Sequence, residues 1–356
     1  MKILILNRRD ILNPAGGGAE VYTHEIARGL TEKYGCEVSV FASSFPGCTR
    51  EEAFDGVTYI RRGNEATVHL IGFYYAIRNR KRFDRIVDEF NGIGFLTFFL
   101  RNSVLLIYQL YREFWLREFG LFGWIPYLIE PLILSLYKRK PTITISPSTK
   151  GDLENLGFQR ISVVMVGLEH PTLPEVTEKE RDMTLVFLGR LKSTKRPEDA
   201  LKIYSRVRQQ FPGCRLWLIG RGPEEMRLKE MAKDLEGVTF FGWVQEEKKY
   251  ELLRRSHILL VPGVREGFGI NIVEAAAAGT PAVGYSVHGI KDAIQEAVTG
   301  YLVGAAEEAA VRTIELLSDR VKYEEMSRNC LRYAEEFDWS GRVDEFWAAI
   351  CDISRE

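Results

Sequence analysis

The chain lacks the clustered cysteines and histidines that define disulfide-rich and zinc-binding proteins. Its five cysteines, at positions 36, 48, 214, 330 and 351, include no Cys-x2-Cys pair, and its five histidines are dispersed. Scattered cysteines in a chain of 356 residues are typical of free thiols in a reducing compartment. The sequence therefore predicts neither a disulfide framework nor a structural zinc site.

An excess of charge and a targeting segment are also missing. The 48 Lys and Arg residues nearly balance the 49 Asp and Glu residues, which gives a net charge of −1. General nucleic-acid binders normally carry a basic excess, so we expect no nucleic-acid partner. The apolar run at residues 3–6 is too short for a signal peptide, which indicates a cytoplasmic protein.

One segment approaches the length of a membrane-spanning helix. Residues 119–137 are apolar apart from Glu130, but Pro126, Pro131 and Glu130 itself argue against a spanning helix. Lys-Arg-Lys follows at residues 138–140. Two interpretations remain. The segment packs in the core and between domains, or residues 119–140 form an apolar patch that contacts a membrane surface peripherally.

Strand and helix signals alternate along the chain. Residues 2–7 predict a buried strand, residues 19–34 a helix and residues 37–42 the next strand, and this alternation predicts a parallel sheet with right-handed crossovers. A second series of the same kind starts at residue 184. Between the two series, residues 170–182 hold prolines and charges and are predicted to be a linker. The chain is also long enough for two cores, so we predict an α/β protein with two Rossmann-like domains facing a cleft.

A glycine-rich turn flanked by carboxylates is the most informative stretch of the sequence. Glu266 precedes the turn at residues 267–269, and Glu274 lies on the alanine-rich helix that follows. Glycines allow close approach of a ligand to the backbone, and the free amides at a helix N-terminus bind anions. The two glutamates could then accept hydrogen bonds from hydroxyls on either side of a bound phosphate. The alternative is a buried βα unit whose glutamates are merely solvated.

Two cations follow an apolar strand in the same half of the chain. Residues 185–188 lead into Gly189 and Arg190, and Lys195 follows five residues later. Open α/β sheets bind ligands beyond the carboxyl ends of their strands. Arginine can bind two phosphate oxygens at once, and lysine adds a point charge. A charged surface loop is the alternative, but together with the Glu266 turn these cations favour one shared site.

These motifs resemble the retaining glycosyltransferases of family four, which have the GT-B fold. The resemblance rests on the Glu-x7-Glu spacing of Glu266 and Glu274, the Gly-Arg-Leu-x3-Lys pattern from Gly189 to Lys195, and the N-terminal Gly-Gly-Gly-Ala-Glu loop at residues 16–20. It extends over nearly the whole chain. It implies an acceptor-side domain of residues 1–169 with the last helix, residues 340–356, crossing back, and a donor-binding domain of residues 170–339.

The resemblance also implies an activity and a set of site residues. The expected reaction moves a sugar from a nucleotide-diphosphate sugar to a lipid or glycan acceptor with retention of configuration. Arg190, Lys195 and Glu266 are the expected catalytic residues. The expected donor-binding residues are Gly17, Gly18, Gly189, Trp243, Val244, Gly267, Phe268, Gly269, Ile270 and Glu274. Within this set Glu266 contacts sugar hydroxyls, Glu274 the ribose, and Trp243 and Val244 the base.

No metal or other cofactor is expected. Charge develops on the diphosphate as it leaves, and many nucleotide-sugar transferases neutralise it with a metal held by an Asp-x-Asp motif, which this sequence lacks. Arg190 and Lys195 supply the positive charge instead. Sequence alone does not decide between a double inversion and a front-face route.

The sequence departs from the family pattern at two places. Tyr108 stands where relatives commonly place a histidine near the donor sugar, and Val166 replaces the usual asparagine before Gly167. A phenol can bond a hydroxyl but cannot carry a positive charge. Tyr108 is therefore either a wall of the donor pocket or a packing residue. The departure leaves open a non-catalytic nucleotide-sugar-binding subunit, and a sugar-nucleotide epimerase or a phosphorylase of similar fold is the alternative enzyme.

The sequence gives fewer indications of which residues contact the acceptor. Arg8, Arg9 and Asn13 follow the first strand and are candidates to face the acceptor. The Arg-Glu pairs at residues 112–113 and 117–118 are either further acceptor contacts or ordinary helix-surface pairs.

Overall fold

A computed structural model describes residues 1–168, 172, 173 and 175–352. The chain divides into two compact units. The first comprises Met1–Arg112, Trp124–Gly167 and Asp338–Glu356, and the second comprises Glu113–Gly123 and Leu168–Phe337. The segment Glu113–Gly123, which the sequence places in the first domain, thus groups with the second. The predicted boundary between residues 169 and 170, and part of the predicted linker, lie outside the described residues.

Fourteen strands and thirteen α-helices occur in the described ranges. The strands are β1 (Lys2–Leu6), β2 (Glu37–Ala42), β3 (Glu51–Phe54), β4 (Val57–Arg61), β5 (Arg85–Phe90), β6 (Ser103–Ile107), β7 (Thr142–Thr144), β8 (Ile161–Val163), β9 (Thr184–Leu188), β10 (Arg215–Ile219), β11 (Val238–Gly242), β12 (Ile258–Val261), β13 (Ala282–Tyr285) and β14 (Gly300–Val303). The helices are α1 (Gly18–Tyr34), α2 (Val68–Asn79), α3 (Arg112–Phe119), α4 (Trp124–Ser135), α5 (Pro147–Asn155), α6 (Pro197–Gln210), α7 (Glu225–Ala232), α8 (Glu246–Arg255), α9 (Ile270–Ala277), α10 (Ile290–Ala293), α11 (Ala306–Ser318), α12 (Arg320–Ala334) and α13 (Trp339–Cys351).

The first unit is built on an eight-stranded sheet in the order β3-β4-β2-β1-β5-β6-β7-β8. Every pair is parallel except the β3–β4 hairpin at one edge. On the face of the sheet covered by α2 and α4, alternate apolar residues of the strands pack in the core, as Leu4 and Leu6 and also Leu105 and Ile107 do. The strand order reverses between β1 and β5, where open sheets of this type bind ligands.

The second unit has a six-stranded, wholly parallel sheet in the order β11-β10-β9-β12-β13-β14. Its strand order reverses between β9 and β12. Two parallel sheets covered by helices confirm the fold class that the alternating pattern predicts.

Local signals set the ends of several helices. Ser146 caps α5 by accepting a hydrogen bond from the Thr149 amide at 3.2 Å, and Pro147 occupies the first helical position. Gly35 ends α1 in the left-handed conformation, with φ of 61°. The last helix, α13, belongs to the first unit, where Trp347 stacks on Tyr34 of α1 at 4.4 Å between ring centroids.

The apolar segment at residues 119–137 is mostly exposed rather than packed in a core. A 3₁₀ turn at Gly120–Gly123 leads into α4, and the exposed fractions of Leu121, Phe122 and Leu132 are 87%, 79% and 68%. The buried Glu130 carboxylate accepts the Tyr111 amide at 2.8 Å, which explains an acidic residue in an apolar helix. Among the described residues, no helix has both the length and the hydropathy needed to cross a membrane.

Candidate functional site

Lys195 and Glu266 meet at the switch point of the second sheet. Lys195 lies on a short 3₁₀ turn after β9, Glu266 follows β12, and the Lys195 ammonium contacts the Glu266 carboxylate directly. Both side chains are partly buried, with exposed fractions of 27% and 12%. The structure therefore brings together two of the three predicted catalytic residues, at the edge of the sheet where parallel strands present their carboxyl ends.

Backbone contacts with His288 and Gly289 hold Glu266 in position. Its amide donates to the His288 carbonyl at 2.9 Å. A Cβ at Gly289, where φ is +82°, would lie 2.1 Å from the Glu266 carbonyl oxygen. Gly289 is required both for this close approach and for its left-handed conformation. A side chain at position 289 would displace the loop that carries Glu266.

The glycine-rich turn leads into α9 as the sequence predicts. Gly269 caps the helix with φ of 83°, and Phe268 is buried against Phe337, with ring centroids 5.7 Å apart. The side-chain amide of Asn271 donates to the Leu188 carbonyl at 2.9 Å, which joins the start of α9 to the end of β9. The Ile272 amide donates to the Gly269 carbonyl at 2.9 Å, and the amides of Ile270 and Asn271, which precede it in α9, can bind an anion at the same edge of the sheet.

Glu274 has a partner that the sequence does not predict. Its carboxylate accepts a hydrogen bond from the Lys249 ammonium at 2.7 Å, and Lys249 also pairs with Glu246. Burial lowers the pKa of Lys249, but the neighbouring carboxylates of Glu274 and Glu246 outweigh it, and the net shift is upward. Lys249 therefore stays charged and orients Glu274. Its position in the polar run of α8 carries no signal that distinguishes it from a solvated lysine.

The remaining predicted residues of the second unit lie along the same edge. The Gly189 amide donates to the Ile219 carbonyl at 3.0 Å, and the Gly220 amide to the Gly242 carbonyl at 2.7 Å, so β9, β10 and β11 end together. Arg190 follows Gly189 and is exposed. Just beyond β11, Trp243 is 67% exposed and Val244 is half-buried. Their predicted roles toward a base and a diphosphate stay predictions.

Gly17 and Gly18 belong to the first unit, at the start of α1. The Gly17 amide donates to the Glu20 carboxylate at 2.7 Å. Glu20 thus already occupies part of the helix N-terminus that the family resemblance assigns to the donor diphosphate. Near this loop, Arg8 and Arg9 both pair with Glu65, at 2.6 and 2.7 Å.

Tyr108 is buried within the first unit. Its hydroxyl lies 2.9 Å from Thr23 Oγ1 and 3.2 Å from Glu89 Oε2, and it donates to the Ala19 carbonyl at 3.1 Å. With 7% of its surface exposed, Tyr108 packs on the first turns of α1, where its ring contacts that of Tyr22. These contacts support the packing interpretation; whether Tyr108 also borders a donor pocket stays a prediction.

Within the residues that the structure describes, no three His, Cys, Asp or Glu side chains are grouped so as to hold a metal ion. The second-unit site instead combines an ammonium, an exposed guanidinium, helix-terminal amides and two carboxylates. This set can bind a phosphate-bearing ligand that also carries hydroxyls.

Comparison with known proteins identifies the region that contains this site. Residues 171–337 match the family model described as "Glycosyl transferases group 1". These residues are thus similar to the group 1 glycosyl transferases. The resemblance stated from the sequence motifs is thereby confirmed.

One curated relative of this region is the N-acetyl-alpha-D-glucosaminyl L-malate synthase of Bacillus anthracis. It is 32% identical over 187 residues, which cover 50% of this chain and 47% of the relative. The chain thus spans about half the length of this relative in the alignment.

Solved structures resemble the whole chain in fold. The sucrose-phosphate synthase of Thermosynechococcus elongatus superposes with a TM-score of 0.82 at 17% identity and covers 99% of both chains. HepE from Anabaena, solved in complex with UDP and glucose, gives a TM-score of 0.76 at 17% identity, covering 99% of this chain and 100% of HepE. These matches confirm the predicted GT-B fold.

Proposed function

We propose that this protein moves a sugar from a nucleotide-diphosphate sugar to a glycan or lipid-linked acceptor, with retention of configuration and without a metal. The observation that carries the proposal is the Lys195–Glu266 pair at the switch point of a sheet in a group 1 glycosyl transferase region. The complex of HepE with UDP and glucose supports a nucleotide-sugar donor.

The chemistry follows from where charge develops. When the bond between the anomeric carbon and the diphosphate breaks, the leaving oxygen gains negative charge, and stabilising that charge lowers the barrier. In our proposal Lys195 and Arg190 pair with the diphosphate, and the amides at the start of α9 bond its oxygens. Glu266, released from Lys195, then accepts hydrogen bonds from sugar hydroxyls, and Glu274 accepts them from the ribose.

Substitution of the paired residues tests this assignment. We expect Lys195→Ala and Glu266→Gln each to lower kcat/KM for the donor at least tenfold, since one charge-assisted hydrogen bond is worth about 1.5–3 kcal/mol. Release of nucleoside diphosphate from UDP-, GDP- and ADP-sugars, with product analysis by mass spectrometry, provides the measurement. Lys229→Ala removes a surface lysine paired with Glu225 in the same unit and serves as the matched control.

The products also separate the alternative functions. An isomerised nucleotide sugar indicates an epimerase, and a sugar phosphate indicates a phosphorylase. Donor binding without turnover on any acceptor indicates a non-catalytic subunit. Unchanged turnover in both Lys195→Ala and Glu266→Gln would show that neither residue is part of the active site.

We further propose a cytoplasmic protein that contacts the membrane peripherally through residues 119–140, where a lipid-linked acceptor would reside. The outward side chains of this segment are apolar, and its single acidic residue, Glu130, is buried. The cations at residues 138–140 follow directly. Apolar groups that insert among headgroups, bordered by lysine and arginine, match an anionic bilayer surface.

The helix α2 supports the same proposal. Leu70 and Tyr74 are exposed on it, and residues 66–83 contain four Lys and Arg residues but no acidic one. The β4-to-β5 and β6-to-β7 connections cross the first sheet in the same direction, so right-handed crossovers place α2 and α4 on one face. Both helices therefore contribute apolar and basic groups to the same side of the first unit.

Sedimentation with lipid vesicles tests the membrane contact. We expect the protein to bind vesicles that contain phosphatidylglycerol and to bind pure phosphatidylcholine vesicles more weakly. Leu121→Ser with Leu132→Ser should lower binding to both, whereas Lys138→Gln with Arg139→Gln should lower only the anionic preference. Equal recovery of all variants with the vesicles would contradict the proposal.

A further inference from the structure

The short helix α3 contacts both loops that form the candidate donor site. From Glu113 it belongs to the second unit, which keeps the chain as far as Gly123, whereas the chain before Glu113 and from Trp124 to Gly167 belongs to the first. We propose that α3 is a positioning element, which holds the loops after β9 and β12 so that Lys195 and Glu266 meet the donor diphosphate. This inference rests on the proposed function.

The first contact reaches the residue before Glu266. Glu113 Oε2 accepts a hydrogen bond from Arg265 Nη1 at 2.9 Å. The Arg265 side chain is only 2% exposed, and a buried guanidinium requires anionic or polar partners to offset its lost hydration. Glu113 is therefore part of what keeps the backbone at residues 265 and 266 in place.

The second set of contacts reaches the loop that carries Lys195. Arg117 Nη2 donates to the buried Glu198 carboxylate at 3.0 Å, and Arg117 Nε donates to the Ser193 carbonyl at 3.3 Å. One residue further along α3, Glu118 pairs with Lys192 at 3.4 Å. These contacts fall on both sides of Lys195, at the start and end of its loop.

The spacing explains how one helix can serve two loops. Glu113 and Arg117 are four residues apart and project from the same face of α3. The two loops also touch each other, because the Val264 amide donates to the Thr194 carbonyl at 3.0 Å. An isolated helix of eight residues is unstable in water, so α3 and the loops order one another. Loosening either contact should increase the motion of Lys195 or Glu266 relative to its partner.

Titration calorimetry with UDP, and with GDP and ADP in parallel, tests the inference. For the nucleotide that binds, we expect Glu113→Gln and Arg117→Gln each to raise Kd roughly tenfold, which corresponds to about 1.4 kcal/mol. In steady-state assays the donor KM should rise by a similar factor, whereas the acceptor KM should change less than twofold. Glu315→Gln, which breaks a surface pair with Arg312 on α11, is the matched control and should leave Kd unchanged.

Two further measurements separate the possible results. Glu113→Asp keeps the negative charge and should bind the nucleotide more tightly than Glu113→Gln. If Glu113→Gln weakened binding only by disturbing the fold, restoring the charge would not restore affinity. The inference is overturned if both Gln variants bind within twofold of the unmodified protein while Lys195→Ala binds more weakly. If Lys195→Ala itself binds normally, the proposed site fails, and the inference fails with it.

Discussion

Glu89 is a carboxyl group buried completely at the end of β5. It accepts a hydrogen bond from Thr23 Oγ1 at 2.6 Å and lies 3.2 Å from the Tyr108 hydroxyl. Burial raises the pKa of Glu89 well above its ordinary value, and the nearby carboxylates of Glu20 and Asp88 add to the increase. The fold therefore favours the neutral, protonated form of Glu89. This form takes part in the hydrogen bonds that connect Thr23 and Tyr108 at the start of α1.

This raised pKa has a defined effect on stability. Between the ordinary pKa of a glutamate and the raised pKa of Glu89, the folded protein binds a proton that the unfolded chain has lost. The contribution of Glu89 is thus fully present at low pH and is lost as the pH rises through the raised value. We expect Glu89→Gln, which cannot ionise, to unfold at a higher urea concentration than the unmodified protein at pH 8.

The difference should vanish only below the ordinary pKa of a glutamate, where Glu89 is neutral in both the folded and the unfolded chain. Urea unfolding of the two proteins across this range gives the measurement, with the exposed Glu154→Gln as control. A lower midpoint for Glu89→Gln at pH 8 would show instead that the carboxylate is required.

How far single residues can be predicted from the sequence depends on whether they lie in a local motif. Lys195 and Glu266 stand in motifs of fixed spacing, and the fold brings them into contact. Lys249 and Glu113 reach the same site through tertiary contacts and look like ordinary helix-surface charges in the sequence. The Arg-Glu pairs of α3 resemble surface pairs in the sequence, but Glu113 and Arg117 bind residues more than 75 positions away.

At the scale of elements, α13 packs closely on α1. A Cβ at Gly29 would lie 2.3 Å from Val343 Cγ2, so the two helices approach through a glycine. Lys33 and Tyr34 of α1 also bond Asp344 of α13, at 2.6 Å each. The last helix is thereby an integral part of the first unit.

We expect Gly29→Ala to destabilise the first unit by about 1–3 kcal/mol, the usual cost of an overpacked contact. Val343→Ala removes the methyl groups that clash, so the double variant should be more stable than the sum of the two single effects predicts. Thermal unfolding of the three variants measures this coupling. Strict additivity would mean that Gly29 and Val343 do not touch.

Elements buried on both faces are the easiest to predict. Strand β2 has the bounds predicted from the sequence, and β1 ends within one residue of its predicted end, because runs rich in apolar residues mark buried parallel strands. The polar edge strand β3, whose sequence is EEAF, is not predicted from the sequence, because it pairs only with β4 and has little apolar character. The exposed face of α4 cannot be deduced either, because an apolar run does not reveal whether another element covers it.

At the scale of the whole molecule, topology explains where the site lies. The second sheet reverses its strand order between β9 and β12, and the motifs around Lys195 and Glu266 follow these two strands. The alternating βα pattern predicts two such sheets. It does not predict that Glu113–Gly123 joins the second unit, because sequence continuity places this segment in the first.

A crystal structure of the protein with a bound nucleoside diphosphate, grown in EDTA, tests the central claim most directly. We predict that the diphosphate lies beyond the carboxyl ends of β9 and β12, within hydrogen-bonding distance of Lys195 and the first amides of α9, and that Lys195 has left Glu266. A nucleotide bound elsewhere, such as at the β1–β5 switch point, or one that binds only when a divalent cation is added, would contradict it.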